Sequence, residues 1–222
     1  LLYNDTKFLC GVATAAHVIN HAEDWQQPLK INHIHTGAIT LLKHDDRIIF
    51  RDQNTDSAVI LFPTHNLKLP ETPIPLLPSN LELMIGAEVG WLGFPAIASN
   101  TPCFFSGNIS ARMSQFNSYL IDGVAINGVS GGPVLYIIGD NEAQVVGIIS
   151  AYQANRATGE VLPGLSVSQD VSHFHSVALQ VQAIDDENRQ KAESQQVELP
   201  QEESITSPTT RPPKKTRRQV KG

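Results

Sequence analysis

Short apolar runs, in which hydrophobic residues are consecutive or alternate with polar ones, fill most of the first 170 residues. Runs of this length, bounded by Asn, Asp, Gly and Pro, are typical of β-strands. Clear examples are residues 8–12, 39–42, 48–50 and 58–62. The pattern predicts an all-β fold for this part of the chain.

A proline-rich stretch interrupts the strand pattern at residues 63–79. Because proline lacks the N–H donor and fixes φ, a paired central strand is excluded there. We therefore predict a β unit at residues 1–68, a linker at 69–80 and a second β unit at 81–172. The second unit holds six strand candidates, enough to close a barrel, at residues 88–94, 107–112, 119–121, 133–138, 145–151 and 165–167.

After residue 172 the apolar residues follow helical spacing. This spacing predicts a short closing helix at residues 173–184, with Ser172 as its N-cap. The apolar positions of the predicted helix are Phe174, Val177, Ala178, Val181 and Ile184. Residues 185–222 are rich in Glu, Gln, Lys, Ser and Pro, which predicts a disordered tail, acidic first and then basic. A docking or localisation segment is the alternative interpretation of its basic end.

Charge and cysteine content narrow the class of protein. Charged residues make up 17% of the chain and the net charge is -6, so nothing predicts a nucleic-acid partner or an anionic membrane surface. The two cysteines, Cys10 and Cys103, are not a disulfide framework, which favours a reducing, cytoplasmic setting. No apolar run is long enough to cross a bilayer, and no signal peptide is recognised. Since the chain begins with Leu1 and not with Met, we expect that its N-terminus is incomplete.

The most informative motif is Asn-Gly-Val-Ser-Gly-Gly-Pro at residues 127–133, directly before an apolar strand. It places Ser130 in a tight turn between small residues, where backbone N–H groups can point into one cavity. Such a cavity could hold the oxyanion of a tetrahedral intermediate. Ordinary turn chemistry is the alternative explanation of a Ser-Gly-Gly-Pro sequence.

Two further segments carry groups that could assist a nucleophilic serine. His17 follows small residues at the end of a β run, and Asp56 opens the apolar strand at residues 58–62. Taken singly, a histidine at a strand end and an aspartate at a strand start are more often structural residues. The joint occurrence of all three segments favours a catalytic interpretation.

Together the three segments resemble the trypsin-like serine proteases, especially the bacterial branch that includes the HtrA (Deg) enzymes. The chain order His, Asp, Ser is that of this superfamily and differs from the order in subtilisins and α/β-hydrolases. The matching motifs are Ala-Ala-His-Val-Ile at residues 15–19, Asp-Ser-Ala-Val at 56–59 and Gly-Val-Ser-Gly-Gly-Pro at 128–133. The resemblance covers residues 5–184. It implies two six-stranded antiparallel Greek-key β-barrels with the active site between them, followed by a short C-terminal helix.

The resemblance also implies a role for each matching residue. Ser130 is expected to attack a peptide carbonyl while His17 accepts its proton, and Asp56 is expected to orient the imidazole. The backbone N–H groups of Gly128 and Ser130 are expected to form the oxyanion hole. The implied activity is that of a serine endopeptidase acting on an extended protein or peptide substrate.

Substrate-binding positions follow from the same resemblance. Ser150, Ala151 and Tyr152 match the strand that pairs with extended substrate. Val124, six residues before the nucleophile, matches the floor of the specificity pocket. Since no carboxylate stands there, we expect cleavage after small or aliphatic residues, not after Lys or Arg.

No cofactor or metal is expected. The histidine pairs His33/His35 and His173/His175 lack further Cys or Asp ligands nearby and are interpreted as exposed polar positions.

Two departures from the family pattern affect the interpretation. Val129 stands directly before the nucleophile, where digestive enzymes carry an aspartate that binds a newly freed N-terminus, so activation by that ion pair is excluded. Only sixteen residues precede His17, so the first barrel is expected to be truncated at its N-terminal edge. The alternatives left open are a catalytically silent, protease-like peptide-binding module and an esterase or acyl transferase using the same three groups.

Overall fold

Antiparallel β-sheet dominates the computed structural model, which describes residues 2–3, 9–34, 36–64, 67–139, 142–154 and 161–197. Among these residues, side chains are described except at 2–3, 152–154, 161–163, 192–193 and 195–197. The chain divides after Ile184 into two units. The first unit contains the strands, and the later part of the C-terminal helix belongs to the second.

In the described part of the chain, the first half of the β region contains six strands, one α-helix and the short 3₁₀-helix His44–Asp46. The strands are β1 (Leu2–Tyr3), β2 (Leu9–Ala15), β3 (Leu29–His33), β4 (Ala38–Leu42), β5 (Ile48–Asp52) and β6 (Ser57–Pro63), and helix α1 is Ala16–Asp24. Four strands form a sheet in the order β1-β2-β6-β5, and β3 and β4 form a separate hairpin. Within the described part of the chain this half is therefore not a closed barrel.

The second half is a closed barrel of six strands, as the strand candidates predicted. Its order is β10-β11-β12-β9-β8-β7, and β7 pairs with β10 to close it. The strands are β7 (Glu88–Gly93), β8 (Cys103–Met113), β9 (Ser118–Asp122), β10 (Pro133–Ile138), β11 (Glu142–Ala154) and β12 (Val161–Asp170). The fold is thus mostly β and consistent with the double-barrel architecture that the motifs implied.

Successive side chains of β6 pack alternately in two hydrophobic cores, one of each half. Ala58, Ile60 and Phe62 face the core of the first half, which also contains Cys10. Val59 faces the other way and packs in the core that includes the barrel. Because successive strand residues point to opposite faces, one apolar strand contributes to both cores. This packing fixes the start of β6, and with it Asp56, near the barrel.

The predicted linker lies against the barrel. Residues 70–80 contain no strand, only an isolated parallel bridge between Leu76 and Val145. The Leu77 N–H donates to the Val145 carbonyl, and the Val145 N–H donates to the Pro75 carbonyl. The prolines therefore allow one short pairing but no extended ladder. The residue boundaries proposed for the linker and the two β units stay a prediction.

The closing helix is longer than its apolar spacing predicted. It was predicted at residues 173–184 but runs from Ser172 to Val197 as α2. Asp170 caps it, accepting hydrogen bonds from the N–H and the hydroxyl of Ser172. The expectation of disorder from residue 185 is therefore corrected for 185–197. These residues lack Gly and Pro and place oppositely charged side chains three or four residues apart, which supports helix without apolar packing. The rest of the predicted tail, 198–222, lies outside the described residues.

Candidate active site

His17 lies in the first turn of α1, at the junction where β2 ends and the helix begins. Ala15 at the N-cap gives no side-chain hydrogen bond, so the first helical N–H groups need other acceptors. The Ala16 N–H donates to the Asp56 carbonyl, and the His17 N–H donates to Asp56 Oδ1, both at 2.9 Å. Asp56 thus caps the helix from a distant part of the chain, where the positive end of the helix dipole stabilises a carboxylate.

Asp56 holds the imidazole through its second oxygen. Its backbone is in the left-handed region, with φ 47, which Asp tolerates better than most residues. His17 Nδ1 lies 2.7 Å from Asp56 Oδ2. The side chain of His17 is 48% exposed and that of Asp56 28%. Because Nδ1 faces a carboxylate, it carries the proton, and Nε2 is left as the nitrogen that can accept one.

Ser150 gives Asp56 Oδ2 a second hydrogen-bond partner. The buried Ser150 hydroxyl donates to this oxygen at 2.5 Å. The register of β11 against β12 shifts between Ile149 and Ala151, so Ser150 stands at a bulge. A bulge re-aims a side chain that strict alternation would direct elsewhere. Sequence reasoning assigned Ser150 to substrate binding and missed this contact, for which no local signal exists.

Ser130 lies in a turn built by glycines, as its motif predicted. Gly128 and Gly131 both have positive φ, 95 and 81, which favours glycine. The Asn127 carbonyl accepts from the Ala96 N–H at 2.7 Å, and the Val129 carbonyl accepts from the Gly132 N–H at 3.0 Å.

These two carbonyls determine the direction of the next N–H groups. In a planar trans peptide the N–H points opposite to the C=O. The N–H groups of Gly128 and Ser130 therefore point away from Ala96 and Gly132. Neither has a hydrogen-bond partner among the described residues. Two free donors two residues apart, beside a serine hydroxyl, can bind a developing negative charge.

The three predicted catalytic residues line one cleft of about 400 Å³. Besides His17, Asp56 and Ser130, its lining comprises Ala125, Ile126, Asn127, Val129, Ile149, Ser150 and Ala151. Among the described residues that line it, His17 and Asp56 have ionisable side chains, and most of the others are apolar. The cleft can therefore combine nucleophilic and proton-transfer chemistry with binding of an uncharged side chain.

Only some of the predicted substrate-binding residues are found in the lining of the cleft. Ser150 and Ala151 line the cleft, whereas Val124 is half exposed and outside the lining. Ala125 and Ile126, the next two residues, take part in the apolar wall instead. Tyr152 belongs to β11, but its side chain lies outside those that the structure describes.

The cysteines and the pair His173/His175 have structural surroundings, whereas His35 of the other pair lies outside the described residues. Both cysteines are free, and burial raises the pKa of the Cys10 thiol to about 11. His173 Nε2 lies 3.5 Å from the Phe50 carbonyl, and His175 Nε2 lies 2.7 Å from the Leu77 carbonyl. No group of three or more potential metal ligands occurs among the described residues. No helix in the described part of the chain is long and apolar enough to span a membrane.

Comparison with known proteins bears on the fold and the family. A family model described as a trypsin-like peptidase domain matches residues 2–148. Among solved structures, the serine endoprotease from Yersinia pestis is similar, with a TM-score of 0.57 and 23% sequence identity. The alignment covers 81% of this chain and 55% of that one, so the chain spans about half the length of this neighbour. No sequence among the curated proteins matches the chain.

The family model covers well over half of the chain, including the segments of His17, Asp56 and Ser130. The mostly β fold with its closed barrel agrees with it. The chain therefore belongs to the family of trypsin-like peptidase domains, and its family and fold are those of a serine-type peptidase.

Proposed function

We propose that the protein is a serine endopeptidase that hydrolyses peptide bonds through an acyl-enzyme on Ser130. The observation that carries the proposal is that Ser130 shares one cleft with His17, whose Nδ1 is bonded to Asp56. In the proposed mechanism His17 Nε2 takes the hydroxyl proton as Ser130 Oγ attacks the carbonyl carbon. The same nitrogen then returns the proton to the leaving amine, and water releases the acyl group in a second, equivalent step.

The proposed oxyanion hole consists of the N–H groups of Gly128 and Ser130. Their freedom from other partners in the described residues supports this role. Each such donor contributes about 3 kcal/mol to transition-state stabilisation in related sites. Asp56 keeps its own role throughout: it fixes the tautomer of His17 and stabilises the imidazolium that forms.

An extended substrate is proposed to bind along residues 150–152 of β11. These residues pair with β12 on one side, between Ala151 and Val167 for example. The pairing of β11 with β10 ends at Ile148, so the other side of residues 150–152 has no strand partner in the described fold. An added antiparallel strand is the natural ligand of such an edge.

A small or aliphatic residue is proposed to precede the scissile bond. The support is the apolar wall formed by Ala125, Ile126 and Ile149, and the lack of a carboxylate other than Asp56 among the described residues that line the cleft. A panel of peptides that differ only at this residue tests the preference. We expect Ala, Val or Leu to be cleaved faster than Lys or Arg, and a preference for Arg would disprove this assignment.

Labelling with a fluorophosphonate probe tests the catalytic proposal, because the probe reports an activated serine without any knowledge of the substrate. We expect wild-type protein and the control Ser106→Ala, altered at an exposed strand position, to be labelled. We expect Ser130→Ala and His17→Ala to be unlabelled. A folded wild-type protein that is not labelled would favour a silent peptide-binding module. Labelling accompanied by ester but not peptide turnover would favour an esterase.

A further inference from the structure

The last two residues of β7 and the three that follow them lie along the turn that carries Ser130. We call residues 92–96 the support segment. Its contacts with the turn run in antiparallel order: Ala96 with Asn127, Phe94 with Gly128, Gly93 with Val129, and Leu92 with Gly132. The contacts therefore cover nearly the whole turn and do not depend on a single residue.

A hydrogen bond at one end of the support segment fixes the peptide group before Gly128. The Ala96 N–H donates to the Asn127 carbonyl at 2.7 Å. If this peptide rotated by half a turn, its N–H would face the Ala96 N–H. Two donors would then oppose each other and the bond would be lost, at the cost of an unsatisfied donor. The Ala96 N–H thus favours the orientation in which the Gly128 N–H points away from the support segment.

Close packing holds the rest of the turn against the same segment. A Cβ at Gly128 would overlap the Phe94 carbonyl, and one at Gly132 would overlap the Leu92 carbonyl. At Gly93 an added Cβ would come within 2.7 Å of Val129 Cβ. Val129 itself is only 1% exposed and packs in the main core. The turn is therefore positioned by apolar burial and backbone contact at the place where digestive enzymes use an ion pair.

We propose that the support segment positions the oxyanion hole. In this proposal the Ala96 N–H keeps the Gly128 N–H directed away from the support segment. Ala96 touches no reacting atom in this account and acts only through the Asn127–Gly128 peptide. The inference rests on the proposed function, in which the Gly128 N–H is a donor of the oxyanion hole. It predicts that the support segment controls the rate of the chemical step without contacting substrate.

Ala96→Pro tests the proposal because it removes the donor and places the proline ring against the Asn127 carbonyl, which must then move, while the local backbone conformation suits proline. Ala96 is the first residue of the 3₁₀-helix Ala96–Ala98, where its N–H has no partner inside the helix. Pro95 before it has φ -60 and ψ 140, the extended conformation required of a residue preceding proline. We expect kcat for a peptide substrate to fall about 100-fold, as for loss of one oxyanion donor, with KM within about twofold of wild type.

A control variant and binding measurements distinguish a positioning role of Ala96 from a general loss of folded structure. Ile97→Ala alters the same 3₁₀-helix at a side chain that is 88% exposed and keeps every N–H, so it is the control expected to retain wild-type kcat. A peptide boronate, which forms a tetrahedral adduct, should bind Ala96→Pro about 100-fold more weakly than wild type. The uncleaved peptide should bind Ser130→Ala and the Ser130→Ala, Ala96→Pro double variant equally.

The outcomes distinguish the two proposals. If the wild type shows no Ser130-dependent labelling or turnover, the proposed function fails and this inference fails with it. If the wild type is active and Ala96→Pro keeps wild-type kcat, only the inference is overturned. Should Ala96→Pro not fold, Gly128→Ala decides, because its Cβ would push the turn from the Phe94 carbonyl while keeping its own N–H. A folded Gly128→Ala with wild-type kcat would also overturn the inference.

Discussion

Ser150 and Asp56 are 94 residues apart in the sequence, yet the Ser150 hydroxyl donates a 2.5 Å hydrogen bond to Asp56 Oδ2. The same oxygen faces His17 Nδ1 at 2.7 Å. Asp56 Oδ1 is occupied separately by the His17 N–H. Every oxygen of this carboxylate thus has a donor, and its orientation is fixed from two parts of the chain.

Removing the Ser150 hydroxyl is expected to slow catalysis moderately. In Ser150→Ala the carboxylate of Asp56 loses one of its donors, and its hold on His17 becomes less rigid. A hydrogen bond to a charged group contributes about 1.5 kcal/mol or more, so we expect kcat to fall about tenfold. Steady-state peptide hydrolysis by wild type and variant measures this change in kcat. The control is Ser106→Ala, and equal kcat values for the two variants would contradict the role given to Ser150.

Asp56→Asn is expected to cause a far larger loss. The amide oxygen would stay with the His17 N–H, which leaves the amide NH₂ facing His17 Nδ1. Nδ1 would then have to accept, the proton would move to Nε2, and His17 could no longer act as base. We expect kcat to fall about 10⁴-fold, as in enzymes with the same arrangement.

The matched control for this variant is Asp24→Asn, which alters a carboxylate that is 61% exposed and paired with Arg51. Stopped assays with a peptide substrate and with the fluorophosphonate probe measure both variants. If Asp56→Asn retained more than a tenth of wild-type kcat, Asp56 would not orient the base.

Loss of the Arg112 guanidinium is expected to destabilise the second barrel. Arg112 pairs with Asp170 at 2.6 Å, and the two side chains are only 15% and 9% exposed. Burial lowers the pKa of Arg112, but hydrogen bonds to Glu82 and Asp170 outweigh it, and the net pKa is raised. Arg112→Met leaves a nearly buried carboxylate without its cation, so we expect the free energy of unfolding to fall by about 3 kcal/mol.

Urea denaturation of Arg112→Met and of Arg51→Met measures this difference. Arg51 pairs with Asp24, which is largely exposed, and we expect its loss to cost less than about 1 kcal/mol. Similar losses in the two variants would show that burial does not strengthen the Arg112 pair.

The Cys10 thiol is expected to resist alkylation in the folded protein. It is 1% exposed, and burial raises its pKa from 9.0 to about 11. The thiolate is the reactive form, so at pH 8 only about one thiol in a thousand would be ionised. Between pH 9 and 11 the folded thiol keeps its proton while the unfolded one loses it, so this group lowers the free energy of unfolding as pH rises.

Mass spectrometry after iodoacetamide treatment distinguishes Cys10 from Cys103, which is partly exposed. We expect Cys103 to be modified first in the folded protein and both to be modified in urea. Modification of Cys10 at the same rate as Cys103 without denaturant would show that the first half opens readily.

Local patterns in the sequence predicted much of the fold and pointed to three residues that the structure brings to one cleft, His17, Asp56 and Ser130. The apolar run at residues 58–62, which ends at Pro63, predicts a strand, and β6 forms at Ser57–Pro63. Glycines around Ser130 predict a tight turn because positive φ is required, as found at Gly128 and Gly131. Helical spacing located α2 but not its end, since charged residues without Gly or Pro extend a helix that packing no longer requires.

Only the tertiary structure decided how distant segments meet. The approach of Ser150 to Asp56 depends on a bulge in β11 and on the packing of β6 against the barrel. Whether Val124 or its neighbours Ala125 and Ile126 face the cleft depends on the path of a loop, which side-chain type does not specify. The contact of Ala96 with Asn127 joins two backbones, and any residue other than proline carries the same N–H. The sequence determines which chemical groups are present. The distances between Ser150 and Asp56 and between Ala96 and Asn127 follow from the packing of the two halves as a whole.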